Sequence, residues 1–154
     1  MTGRTRRRTP GRVALAAVVL LLALQACGEN DVESYCSEVK QQRKELADMV
    51  ETGSPAALLG ALPTLRDLDE AAPPDLEDEW QTFLPAVEAL EEALDDAGVE
   101  PGDFEDGKPP SGLSSGDQQA IKQAADRIRA DDVVRAAAGI EQQARDVCKV
   151  NFGL

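Results

Sequence analysis

DLEDEWQTFLPAVEALEEALDDAG, residues 75–98, carries the clearest periodicity in the chain. Leu76, Trp80, Phe83, Val87, Leu90, Leu94 and Ala97 follow one another at alternating steps of four and three residues. A 3.5-residue period is a narrow apolar stripe, the pattern of a helix packed in a bundle. Asp75, Glu77, Asp78 and Glu79 crowd the first turns, where the helix dipole favours anions. Pro85 falls off the stripe, which predicts a bend without burial of the ring. Gly98 stands where a left-handed residue would end the helix.

The chain on either side has the same character. A helix is expected over 31–52, opened by Asn30 and Glu33 at capping-box spacing. Val32, Tyr35, Cys36, Val39, Leu46, Met49 and Val50 form its stripe, and Gly53 closes it. Ser54 as N-cap and Pro55 at the first helical position begin the next one. Its stripe is Leu58, Leu62, Leu65 and Leu68; Pro63 predicts a kink or short break, and Pro73-Pro74 ends it. Residues 99–115 are rich in proline, glycine and serine and read as a mobile loop. Ser115 with Gln118 opens a last arm over 116–150. Ile121, Ala124, Ala125 and Ile128 form one stripe there, and Val133, Ala137, Ile140, Ala144 and Val147 a second, slipped in phase. Asp131 or Asp132 is the expected cap between them. No strand-length run of period two occurs. The fold class is therefore all-α: an antiparallel bundle of about four arms, kinked at prolines, over 31–154.

The N-terminus has a different composition. Residues 1–26 hold five arginines and no acid, and Val13 to Leu24 are twelve residues without a charged or polar side chain. Twelve helical residues span about 18 Å, short of the ~30 Å hydrocarbon core. A basic segment before a short apolar run is a secretory signal peptide. Thr5-Arg6-Arg7 partly fits a twin-arginine opening, so the export route stays open between the two systems. Leu24-Gln25-Ala26-Cys27 then resembles a bacterial lipobox, with Leu24, Ala26 and Cys27 in place and Gln25 where a small or apolar residue is usual. The resemblance implies cleavage between Ala26 and Cys27 and a diacylglyceryl group on the Cys27 thiol. Residues 1–26 are then a lipoprotein signal peptide, and 27–30 a short lipid-anchored tether. The protein would sit on the outer face of the bacterial cytoplasmic membrane, with the lipid on Cys27 as its membrane contact.

With Cys27 assigned to lipid, Cys36 and Cys148 remain as an even pair in an oxidising compartment. A disulfide between them requires both to lie at one end of the bundle, which an even number of antiparallel arms provides. Their long separation is not the CxxC spacing of exchange enzymes. Ala71-Ala72-Pro73-Pro74-Asp75-Leu76, Asp78-Glu79-Trp80 and the paired Cys36 and Cys148 also resemble small helical lipoproteins of high-GC Gram-positive bacteria, a group that brings no activity to carry over.

Charge and composition bound the function. The 154 residues carry a net −13 and no histidine. Histidine-dependent nucleophiles, acid–base pairs and metal sites are thereby excluded, and a pI near 4.3 argues against a nucleic-acid partner. Removing residues 1–26 takes away five positive charges only, leaving −18. Residues 67–115 hold sixteen acids against Lys108, with no Lys or Arg from Asp67 to Asp106. That 67–106 surface is a solvated face or a site for a cationic or protein partner. Asp103 to Gly107 comes nearest a calcium loop, but its glycine is one position early. Catalytic carboxylates need a partly dry cleft, which a slim alanine-rich bundle seldom supplies, and Trp80 and Phe83 read as core. The expectation is a non-enzymatic binding or interaction module without cofactor or metal. The alternatives are a small-ligand carrier with an apolar pocket between helices and, less favoured, a carboxylate enzyme. A carrier calls for a cavity at Trp80.

Overall fold

The computed structural model describes residues 26–104 and 109–151, with side chains from Asp31 onward. Residues 1–25 of the signal-peptide reading, and the side chains of 26–30 on which cleavage at Ala26, lipidation of Cys27 and the tether would turn, lie outside the described residues. Seven α-helices occur among the described residues: α1 (Ala26–Gln41), α2 (Arg43–Thr52), α3 (Pro55–Gly60), α4 (Leu62–Glu70), α5 (Glu77–Ala97), α6 (Ser115–Ile128) and α7 (Asp131–Asp146), with short 3-10 turns at Pro74–Leu76 and Pro101–Asp103. No strand is present among them.

Several ends follow the local chemistry read from the sequence. Gly53 and Gly98 adopt φ of 59° and 65°, where a side chain would strain the backbone. The Ser54 hydroxyl accepts from the Ala57 amide at 3.1 Å, and Pro55 fills the first position of α3. Other boundaries differ. α1 already includes residues 26–30, so Asn30 does not begin it, and the span expected over 31–52 is divided at Gln42. The second helix is divided at Ala61, with Pro63 in the first turn of α4, where no intrahelical donor is required. α5 runs unbroken through Pro85, which is exposed.

The last arm is two helices, separated by an extended Ala130. Ser114, not Ser115, caps α6: its hydroxyl accepts from the Asp117 amide at 3.1 Å and donates to the Asp117 carboxylate at 2.7 Å. Asp131 and Asp132 do not cap α7 but occupy its first turn, and Asp132 reaches back to Arg127 at 2.7 Å. Val147 lies 44% exposed rather than on the buried stripe. α7 ends at Asp146, and Lys149 turns the chain with φ of 60°, so that Cys148 and Val150 point inward instead.

α5 is the central element and packs against α3, α4, α6 and α7. Leu90 and Leu94 meet Ile121 and Ala124 of α6, whereas Glu79 lies against Gly139 of α7. Contacts thus run backward along α5 as the chain proceeds. The larger core joins Tyr35, Val39, Leu62, Leu65, Leu68, Trp80, Phe83, Val87, Val133 and Ala144. Leu84 and Ala86 are buried as well, because neighbours on more than one side widen the buried face of α5.

Candidate functional site

Cys36 and Cys148 are joined: their Cα atoms lie 4.9 Å apart and their sulfurs are bonded. Both are buried. The bond ties α1 to the segment after α7, beside the Trp80 end of the core. Trp80 and Phe83 pack edge to face, with ring centroids 6.1 Å apart and planes at 63°. Both rings are buried, and neither lines either groove described below. They are core, as read from the stripe. The Tyr35 hydroxyl and the Trp80 indole nitrogen are buried without a hydrogen-bond partner. Burial pushes the Tyr35 phenol up to about 12, an effect the adjacent Trp80 partly offsets without reaching hydrogen-bond geometry.

The cavity that the carrier alternative calls for at Trp80 is not found among the linings of the grooves described below; the larger of these lies elsewhere. A groove of about 810 Å³ opens over the second, smaller core, whose buried members are Leu90, Leu94, Ile121 and Ala124. Its floor is Leu90, Leu94, Ile121 and Ala125. Phe104, Pro101 and Pro109 bound it on the loop side, and Ser54, Pro55 and Ala56 on the α3 side. Each wall has a local cause. Gly98 ends α5 and turns the chain outward, and the Glu100 amide donates to the Asp103 carboxylate at 2.8 Å, pinning the turn Pro101–Asp103. Ser54 and Pro55 set where α3 begins. On the α6 side the groove is kept open at Ala125, where a longer side chain would project into it.

The polar rim is carried by α6. Lys122 and Arg129 both pair with Asp126, the latter at 3.7 Å. The Lys122 ammonium, more than Arg129, holds the Asp126 carboxyl below its ordinary range. No other charged residue borders the groove among the described residues. A second hollow of about 590 Å³, between α2 and α3, is lined mainly by polar side chains including Gln41, Lys44, Glu45 and Asp48.

The acids of 67–103 are all at least partly exposed. Their isolation from basic residues in sequence is not complete in space: Arg66 of α4 reaches Glu88 at 2.9 Å and Glu91 at 2.7 Å on α5. Desolvation, helped by Glu88, raises the Asp69 carboxyl above its ordinary value. Asp103 is engaged in its own turn, and residues 105–108 of the calcium-like stretch lie outside the described residues. Among the described residues no cluster of three or more potential ligands is placed to hold a metal ion, and no helix is long and apolar enough to cross a membrane.

Sequence reasoning missed the groove and the Arg66 clamp. The signal for the first was the run of alanines on α6 facing leucines of α5. The second had none, because it spans 22 and 25 residues. No protein-family model, curated protein or solved structure matches the chain.

Proposed function

We propose that the protein is an exported, non-enzymatic binding module, anchored through lipid on Cys27 to the outer face of the bacterial cytoplasmic membrane. The observation that carries the export part of this reading is the Cys36–Cys148 bond, since structural disulfides are characteristic of oxidising compartments. The lipobox-like Leu24-Gln25-Ala26-Cys27 supplies the anchor. In this reading α1 with α2, α3 with α4, α5, and α6 with α7 are the four arms of a bundle bent at its prolines and breaks. The meeting of Cys36 with Cys148 supports an even number of arms. Intact mass of the membrane-extracted protein should show residues 1–26 removed and a lipid adduct at Cys27. Cys27→Ser should release the chain from the membrane fraction or stall its processing. An unlipidated mature protein beginning elsewhere refutes the anchor.

The carrier alternative moves from Trp80 to the groove between α5 and α6, the observation that favours it. The exposed acids of 67–103 support the other form of the module, docking of a cationic protein partner. Crosslinking on intact cells separates the two: a carrier yields a small hydrophobic molecule on extraction, an interaction module a protein adduct at α5.

A further inference from the structure

We infer that the groove between α5 and α6 binds a long-chain fatty acid, its alkyl chain on the Leu90–Leu94–Ile121 floor and its carboxylate at Lys122 and Arg129. The inference rests on the carrier form of the binding-module reading and names its ligand. Three observations meet at this place. The floor is apolar, and the hollow of about 810 Å³ lies within the range of small-molecule sites, roughly 300–1,000 Å³. Its α6 wall runs from Ser115 to Arg129, about 21 Å of helix, so the shape is long rather than round. The third is charge. In a chain of net −13 the described charged residues of the rim are two cations and one acid. Among the described residues the groove thus has a cationic edge beside an apolar trough on an acidic molecule.

An anionic amphiphile satisfies each part. The alkyl chain removes the floor from water, where burial is worth about 25 cal/mol per Å². The carboxylate takes over the cations that Asp126 now shares, and a bidentate partner suits the Arg129 guanidinium. A neutral chain gains only the first contribution. A cationic amphiphile meets Lys122 and Arg129 as like charges.

The test is titration of the full chain carrying Cys27→Ser with palmitate, hexadecanol and hexadecyltrimethylammonium below their aggregation concentrations. Two groove variants are made on that background. Lys122→Gln with Arg129→Gln changes exposed side chains only, and Ala125→Leu fills the trough; thermal unfolding checks that both fold. The apolar segment 13–24 is common to all, so binding that neither groove variant changes is assigned to it and subtracted before the ligands are compared. The expected result is palmitate bound at least tenfold more tightly than hexadecanol. The double variant should erase that preference, and Ala125→Leu should weaken both ligands at least tenfold. Equal binding of palmitate and hexadecanol, or palmitate binding indifferent to both variants, overturns the inference. So does folded protein that binds none of the three. Membrane release by Cys27→Ser is scored separately, so the ligand can fail while the anchored module stands, and the reverse.

Discussion

Tyr35 places a hydroxyl in the core with no partner, next to an indole nitrogen in the same condition. A buried unsatisfied polar atom costs about 1–3 kcal/mol. Tyr35→Phe should therefore leave the protein as stable or more stable, by about 1 kcal/mol in urea unfolding at neutral pH. The same residue sets an alkaline limit. Its phenol is raised from 10.0 to about 12, so the native state keeps a proton that the unfolded chain releases. That contribution is complete below pH 10 and is lost as pH rises toward 12. Wild type should lose stability steadily across this window, and Tyr35→Phe should show a flatter profile; identical profiles would mean that the hydroxyl is not buried in solution. Gly139 is a second residue-scale case. A Cβ there would meet the Glu79 Cγ at 3.0 Å, while glycine inside a helix costs roughly 0.5–1 kcal/mol relative to alanine. Glu79 is half-exposed and able to swing away, so the terms nearly cancel. Gly139→Ala should fall within about 0.5 kcal/mol of wild type, whereas Gly139→Leu should lose about 1–3 kcal/mol by prying α7 from α5. Denaturant midpoints decide both.

The joint between α6 and α7 combines backbone hydrogen bonds and the packing of Ile128 and Val133 with surface ion pairs. Arg127 pairs with Asp132 across it, and Lys122 and Arg129 converge on Asp126 just before it. Hydrogen bonding to Arg127 lowers the Asp132 carboxyl, as Lys122 lowers that of Asp126. Depressed carboxylates stabilise the native state above their ordinary pKa, and that contribution is lost as pH falls below about 4. All these groups are exposed, so the effect on global stability is small and salt-sensitive. Its local signature is faster hydrogen exchange of the Arg129–Val133 amides at pH 3 than at pH 6, after correction for intrinsic rates, with the α5 amides unchanged. A uniform change along the chain would assign acid sensitivity to the whole fold instead. The break itself was readable as a phase slip from Ile128 to Val133. Its cap was not, because the extended Ala130 turns the chain without side-chain help.

At the scale of the molecule, the disulfide links residues 112 apart and so constrains nearly the entire domain. The chain-entropy estimate for such a loop is about 4–5 kcal/mol, large against a typical stability of about 5–15 kcal/mol. Non-reducing peptide mapping should recover Cys36 joined to Cys148. Reduction should lower the melting temperature by several degrees or more. An unchanged melting temperature would place the stability in the α5 core alone. The two cores also divide the labour along α5. The Trp80 half is filled and tied by the disulfide, and the Leu90–Leu94 half is lined with alanine and left open. The groove thus lies at the less tightly filled half, away from the covalent tie.

Much of this protein is local and was legible in its residues. The α5 stripe, the left-handed glycines at 53 and 98, and the Ser54-Pro55 start depend on contacts within a few positions. The pairing of Cys36 with Cys148 followed once Cys27 was set aside on its likeness to a lipobox. Tertiary structure decided what depends on distances between helices. It widened the buried face of α5 to include Leu84 and Ala86, because that helix is covered from several sides. It brought Arg66 to Glu88 and Glu91, left Val147 outside, and opened a groove at the α5–α6 seam. The reason is volumetric. Periodicity states which face of a helix is buried, but whether the facing side chains fill the gap depends on the sum of both partners, known only when the helices are placed.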